Sequence, residues 1–225
     1  MGQAFGDVLP LAVAIAIFPV PIITTVLILG SARGQVKTLA FVLAWFAGLT
    51  TVGAIVLALT GVAHGSDGGE PATWTAVLLL ALGVLLLVLA VRQWRSRPRA
   101  GQETPMPTWM RTLDDFTVAK AGGAGIALSA LNPKNVLLVV AAAAEIDAVG
   151  IPAGRQVVVL LAFVVVASAG VLAPLVLSVA FGNRSRAWLD ALRGWLTRHN
   201  AAIMSVLFLV IGAKLVGDAL AGFSS

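Results

Sequence analysis

Lys134 is the residue of this chain best placed to do chemistry. It follows Pro133, between Asn132 and Asn135, in a run (121–144) that holds no other charge. A cation at a bilayer centre costs about 2.5–3.5 kcal/mol on insertion scales, so such a lysine should face the protein interior and have a partner. It would neutralise an anionic substrate group or exchange a proton during a transport cycle. The competing role is structural, bonding carbonyls that Pro133 sets free. Asn132 and Asn135 would offer their amides to substrate polar groups. An earlier apolar run (7–30) carries Pro19 and Pro21, with Thr24 and Thr25 less than a turn further on. Those threonines either line a pathway or bond back to helix carbonyls. Lys214 and Asp218 lie four residues apart and share a helical face. They form either an outer gate, opened when substrate displaces the pair, or a snorkelling surface pair. The candidate pathway is therefore Pro19, Pro21, Thr24, Asn132, Pro133, Lys134 and Asn135, and the candidate gate is Lys214 with Asp218.

Other chemistries find little support. The chain has no cysteine, so it has no disulfide, thiolate metal site or thiol relay. His64 and His199 fall in connections on opposite sides, and no His, Asp or Glu cluster lies inside an apolar run. Neither metal site nor cofactor is expected. No zinc-protease, hydrolase-elbow or nucleotide-binding motif occurs, and the protein is not expected to be an enzyme.

The elements that must position these residues follow from composition. Of 225 residues, 59% are hydrophobic and 11% charged, against about 25% charged in soluble domains. Mean hydropathy is +0.99. Such a chain is solvated mainly by lipid. A spanning helix needs about 20 mainly apolar residues. Six runs qualify: 7–30, 37–61, 74–91, 121–144, 153–181 and 201–220. They are continuously apolar, without the two-residue alternation of a barrel. Residues 1–6 carry no Lys or Arg, so the first run does not read as a cleavable signal.

Basic residues set the orientation. Arg33, Lys37, Arg92, Arg95, Arg97, Arg99, Arg111, Lys120, Arg184, Arg186, Arg193 and Arg198 all fall on one side, which makes twelve of 15. The positive-inside rule puts that side in the cytoplasm and both termini outside a plasma membrane. The net charge of +5 is thus a topology signal and not a nucleic-acid footprint. A basic, Pro-containing linker (92–120) separates a first three-helix unit (1–91) from a second (121–225). Residues 64–71 read as a flexible outer turn. Trp188, Leu192 and Trp195 share a helical spacing, as do Trp109, Leu113 and Phe116. Both sets predict helices lying in the headgroup layer, as anchors or as a vestibule for a lipid-linked anion.

Two three-span units must enter the membrane from opposite sides, which is the plan of a 3+3 inverted repeat. Phe41-Val42 with Ala47-Gly48 matches Phe163-Val164 with Ala169-Gly170. Pro19 and Pro133 are each the thirteenth residue of their runs, so both helix breaks fall near the bilayer midplane. The carbonyls of Ile15, Ile17 and Ser129 should lose their usual partners. Paired breaks at the midplane are the best sequence pointer to a transporter site.

Pro19-Val20-Pro21 and Asn132-Pro133-Lys134, in six spans, resemble the LysE-type exporter superfamily. Val20 stands where the amino-acid branch has glycine, which weighs against amino-acid export. The closing run Ile211-Gly212-Ala213-Lys214-Leu215-Val216-Gly217-Asp218 resembles the GAP family, also called the sulfolipid-1-addressing protein family, of actinobacteria. The resemblance implies movement of glycolipids or comparable cell-envelope lipids toward the cell surface. The implied partners are membrane lipids, an anionic lipid or small-molecule substrate, and machinery of envelope-lipid synthesis or export. Export of a small solute, such as an amino acid or cation, stays open. So does a non-transporting scaffold of an envelope-lipid assembly complex.

Overall fold

A computed structural model describes residues 2–66, 71–97 and 116–224. Among them every regular element is helical, as the apolar runs predicted. The order is α1 (Gly2–Ala16), α2 (Pro19–Gly30), α3 (Gly34–Ser66), α4 (Pro71–Arg95), α5 (Val118–Ala130), α6 (Pro133–Ala148), α7 (Ala153–Ala167), α8 (Ala169–Phe181) and α9 (Ser185–Ser224). A 3-10 turn at Gly182–Arg184 precedes α9. Three helical stretches, Gly34–Thr60, Thr75–Arg95 and Ala169–Phe223, are long and apolar enough to cross a membrane. The pairs α1–α2 and α5–α6 are bent by 49° and 56°, and counting each as one span gives five. Most of the 92–120 linker, including Trp109 and Leu113, lies outside the described residues, as does the centre of the predicted outer turn.

Both faces of these helices are apolar. In α1, Val8, Leu11 and Ile15 are buried while Leu9 and Val13 are about two-fifths exposed. A helix that is apolar all round needs lipid on the side that protein does not cover. The exposed stripe Val36, Leu39 and Leu43 of α3 has the same meaning.

The two breaks have a shared cause. Pro19 has no N–H for the carbonyl of Ile15, and the Phe18 N–H takes it instead at 3.2 Å. Pro19 and Pro133 then each occupy the first turn of the next helix, where a missing N–H costs nothing. These prolines start α2 and α6 more than they kink one long helix.

Each broken pair packs on helices distant in sequence. The first limb of the early broken pair, α1, packs on α7, and the first limb of the later pair, α5, packs on α3. The second limbs behave alike: α2 lies against α8 and α9, and α6 against α3 and α4. Glycines allow the close approaches. A Cβ on Gly170 would strike the Ala16 carbonyl oxygen, and one on Gly48 would strike the Ser129 hydroxyl. Ala16 and Ser129 sit at the ends of α1 and α5, beside the breaks. The remaining helices, α4 and α9, pair along their length. Gly83 and Gly212 meet there, each leaving about 3 Å between its missing Cβ and the other's carbonyl oxygen.

Gly182 reverses the chain between α8 and α9 with φ +53°, a region open mainly to glycine. Gly170 of α8 lies beside Ala16, and Phe208 of α9 lies beside Phe18. The chain therefore leaves the level of the first break in α8 and returns to it in α9. One sequence expectation is corrected here. Trp188, Leu192 and Trp195 do not form a separate helix. They open the 40-residue α9, which continues unbroken through its apolar stretch. Their ring and side-chain surfaces are exposed, while Leu189 and Leu196 on the other face are buried. The hydropathy-based start at residue 201 missed these turns because Arg186, Asp190, Arg193 and Arg198 dilute them.

Candidate functional site

Both breaks converge on one ring. Phe208 of α9 meets Phe18 edge-on, with centroids 6.2 Å apart. Lys134 Nζ lies 5.5 Å from the centroid of the same ring, within cation–π range. Lys134 also sits in the first turn of α6, where the helix dipole opposes a cation. Among the described residues no carboxylate pairs with it. The N-termini of α2 and α6 both open at the breaks, and such ends favour anions. Because α1 and α5 end at the same breaks, the paired helix ends offset one another, and the unpaired positive charge here is the Lys134 ammonium.

The neighbouring polar residues mostly hold the backbone together. The Asn132 side-chain oxygen accepts from the Lys134 N–H at 3.1 Å and caps α6. Asn135 donates from Nδ2 to the Leu128 carbonyl at 2.6 Å, closing the gap between α5 and α6. Its Oδ1 is buried and finds no partner among the described residues. Thr24 and Thr25 donate back to the carbonyls of Val20 and Pro21, at 2.8 and 2.9 Å. The hydroxyl of Ser129 bonds the Gly125 carbonyl at 2.7 Å. Asn135→Leu should therefore destabilise the protein by about 1–3 kcal/mol, because the Leu128 carbonyl loses its buried donor. Thermal unfolding of the purified protein checks this.

A second polar group lies further along α9. Lys214 Nζ contacts Asp218 at 2.5 Å and Glu145 of α6 at 2.9 Å. Lys214 and Asp218 are brought together as their spacing indicated. Glu145 is the residue that the sequence reading missed. The fourth run was closed at 144, four residues before α6 ends, because a charge follows it. The sequence held one signal: Glu145 directly continues the apolar run 136–144, four residues past Ala141 on the same helical face. The ion pairs border a cavity of about 430 Å³ that Gln3, Asp7 and Thr75 also line.

The opposite end of α9 carries a different cavity of about 620 Å³, lined by Arg33, Arg186 and Leu189 among others. Leu189 and Asp218 are separated by about 44 Å of helix at ~1.5 Å per residue. That exceeds the hydrocarbon core of about 30 Å. A carboxylate-rich end and an arginine-bearing end thus lie further apart than one bilayer core.

Long apolar helices, two proline-broken helix pairs and polar groups gathered at the breaks describe a helical membrane protein. The chain matches the family model described as Sap, sulfolipid-1-addressing protein, over residues 8–221, and it belongs to that family. No curated protein and no solved structure matches it.

Proposed function

We propose that this protein is a secondary transporter, not an enzyme, that moves an anionic glycolipid or comparable envelope lipid across or toward the outside of the plasma membrane. The observation that carries the reading is the meeting of both helix breaks at Phe208, with Lys134 over its ring. The family's description, sulfolipid-1 addressing, supports a lipid as cargo.

In this reading the chain makes six passes: α1 with α2, α3, α4, α5 with α6, α7 with α8, and α9. They form a 3+3 inverted repeat with both termini outside, on the plan of the LysE-type exporters. The exchange of partners supports it, since each broken pair seats its first limb on the second pass of the other half. The mutual contact of Gly83 and Gly212, from the third pass of each half, suits a two-fold axis there. Lys134 and the starts of α2 and α6 hold the acidic headgroup at the midplane. Glu145, Lys214 and Asp218 close the outer side, and the halves rock about the fixed site. A nearly wholly apolar groove of about 400 Å³ between α4 and α9, bordered by Val91, Trp94, Val206 and Leu209, gives acyl chains a sideways opening. Partners in this role are membrane lipids and the machinery that makes or exports envelope lipids.

Lys134→Met tests the claim in reconstituted vesicles. Transport of an anionic lipid should fall about tenfold or more, as expected for loss of one charged contact. Unchanged transport at normal expression would remove Lys134 from the pathway. The carboxylates of the outer cavity favour a second reading, export of a small cation or amino acid. Vesicles that move such a solute but no lipid would select it. Protein that moves neither, yet co-purifies with a lipid synthase, would be a scaffold.

A further inference from the structure

The cavity at the arginine-bearing end is formed where two chain reversals meet. One is the turn between α2 and α3, residues 31–33, and the other is the Gly182 turn before α9. Arg33 and Arg186 line it, opposed by the single carboxylate of Asp190. Behind the wall stands Lys37, only 8% exposed. Its ammonium donates to the Ser31 hydroxyl at 3.1 Å, and among the described residues no carboxylate pairs with it. Ser31 itself lines the cavity. A buried cation compensated by one hydroxyl, beside two arginines and one carboxylate, leaves an excess of positive charge. α3 and α9 begin here where α2 and α8 end, so the helix dipoles largely offset one another and the excess is carried by the side chains.

The backbone carries an independent sign. Arg33 has φ +54°, and it is the only non-glycine residue with positive φ among those described. An arginine held at positive φ is locally strained, and such strain collects at binding sites. Glycine would fill this turn without cost. Around the rim the chemistry changes: Val36, Phe181 and Trp188 are about half exposed. The ring of Trp188 stands edge-on to Phe181 at 5.8 Å. Aromatic rings beside arginines mark the depth of lipid headgroups.

We infer that this cavity binds the oxyanion headgroup of an anionic lipid, a sulfate or phosphate ester, through Arg33 and Arg186 with Lys37 behind Ser31. The acyl chains leave past Val36 toward the bilayer. Arginine suits the role because its planar fork meets such oxyanions with two parallel hydrogen bonds. The site rests on the lipid-moving reading for its purpose, since it would load cargo from the inner leaflet. Its binding chemistry does not depend on transport.

Native mass spectrometry of the full chain, titrated with phosphatidylglycerol or phosphatidylcholine, tests it. Phosphatidylglycerol should bind at least about tenfold more tightly, the scale of one charge-assisted contact. Arg33→Gly combined with Arg186→Gln should erase the preference, whereas Arg92→Gln with Arg198→Gln removes equal charge off the cavity and should keep it. Arg33→Gly should also leave the melting temperature unchanged or raised, because it relieves the turn. Arg186→Gln alone reads the same site without touching that turn. Excess inorganic sulfate that displaces phosphatidylglycerol would show a site open to free oxyanions, and sulfate without effect would show a lipid-only site. Equal loss in both double variants, or no preference in the parent, would overturn the inference. Binding that persists where transport is nil would leave the site standing and remove only the transport reading.

Discussion

Lys214→Met should lower stability by about 3 kcal/mol, because it strands the carboxylate of Glu145 in a buried position. The side chain of Glu145 is 8% exposed and that of Lys214 21%, so water offers little relief. Adding Glu145→Gln to Lys214→Met should restore most of the loss, since removing both partners of a buried pair is often nearly neutral. Asp218 is 39% exposed, and Asp218→Asn should cost no more than about 1 kcal/mol. Thermal unfolding in detergent, arranged as a double-mutant cycle, measures these differences. A larger loss from Asp218→Asn than from Lys214→Met would place the anchor at the surface and not at Glu145.

Gly170→Ala should be the most damaging single-methyl addition, at about 2–3 kcal/mol. The new Cβ meets the carbonyl oxygen of Ala16, which belongs to the end of α1 and cannot swing aside. Gly48→Ala meets a side chain, the Ser129 hydroxyl. Ser129→Ala should therefore rescue at least half of the Gly48→Ala loss. No side-chain truncation should rescue Gly170→Ala. The same unfolding assay decides, and a full rescue at Gly170 would mean that α1 can slide on α8.

Much of this architecture could be read from residue types. Proline lacks an N–H wherever it occurs, so Pro19 and Pro133 marked both breaks. Continuous apolar runs required helices, and their ends were placed within a few residues except where charge intruded. Those exceptions share one physical cause. Hydropathy treats a charge as the end of a span, yet α6 carries Glu145 inward and α9 carries four charged residues before residue 201. Burial depends on which face a residue takes, and on what another helix supplies at that height. Glu145 is tolerated because Lys214 waits 69 positions later. The match between the segments around Gly48 and Gly170 was visible in the sequence, but its use was not. Only packing shows that Gly170 receives the end of α1 and Gly48 the end of α5. Asn132 illustrates a further limit. Beside a lysine it read as a substrate ligand, and its side-chain oxygen caps α6. Composition cannot distinguish those uses, because the same amide oxygen serves both.

The crossed seating of α1 on α7 has a consequence for how the protein is made. The receptor for the end of α1 is Gly170, about 150 residues further along the chain. At about 5–20 residues per second, ribosomes need roughly 8–30 s to synthesise that stretch. Throughout that interval the end of α1 lacks the surface that receives it in the folded protein. The fold therefore creates a waiting period during biogenesis, in which an insertase or a membrane chaperone has an unpacked helix end to shield.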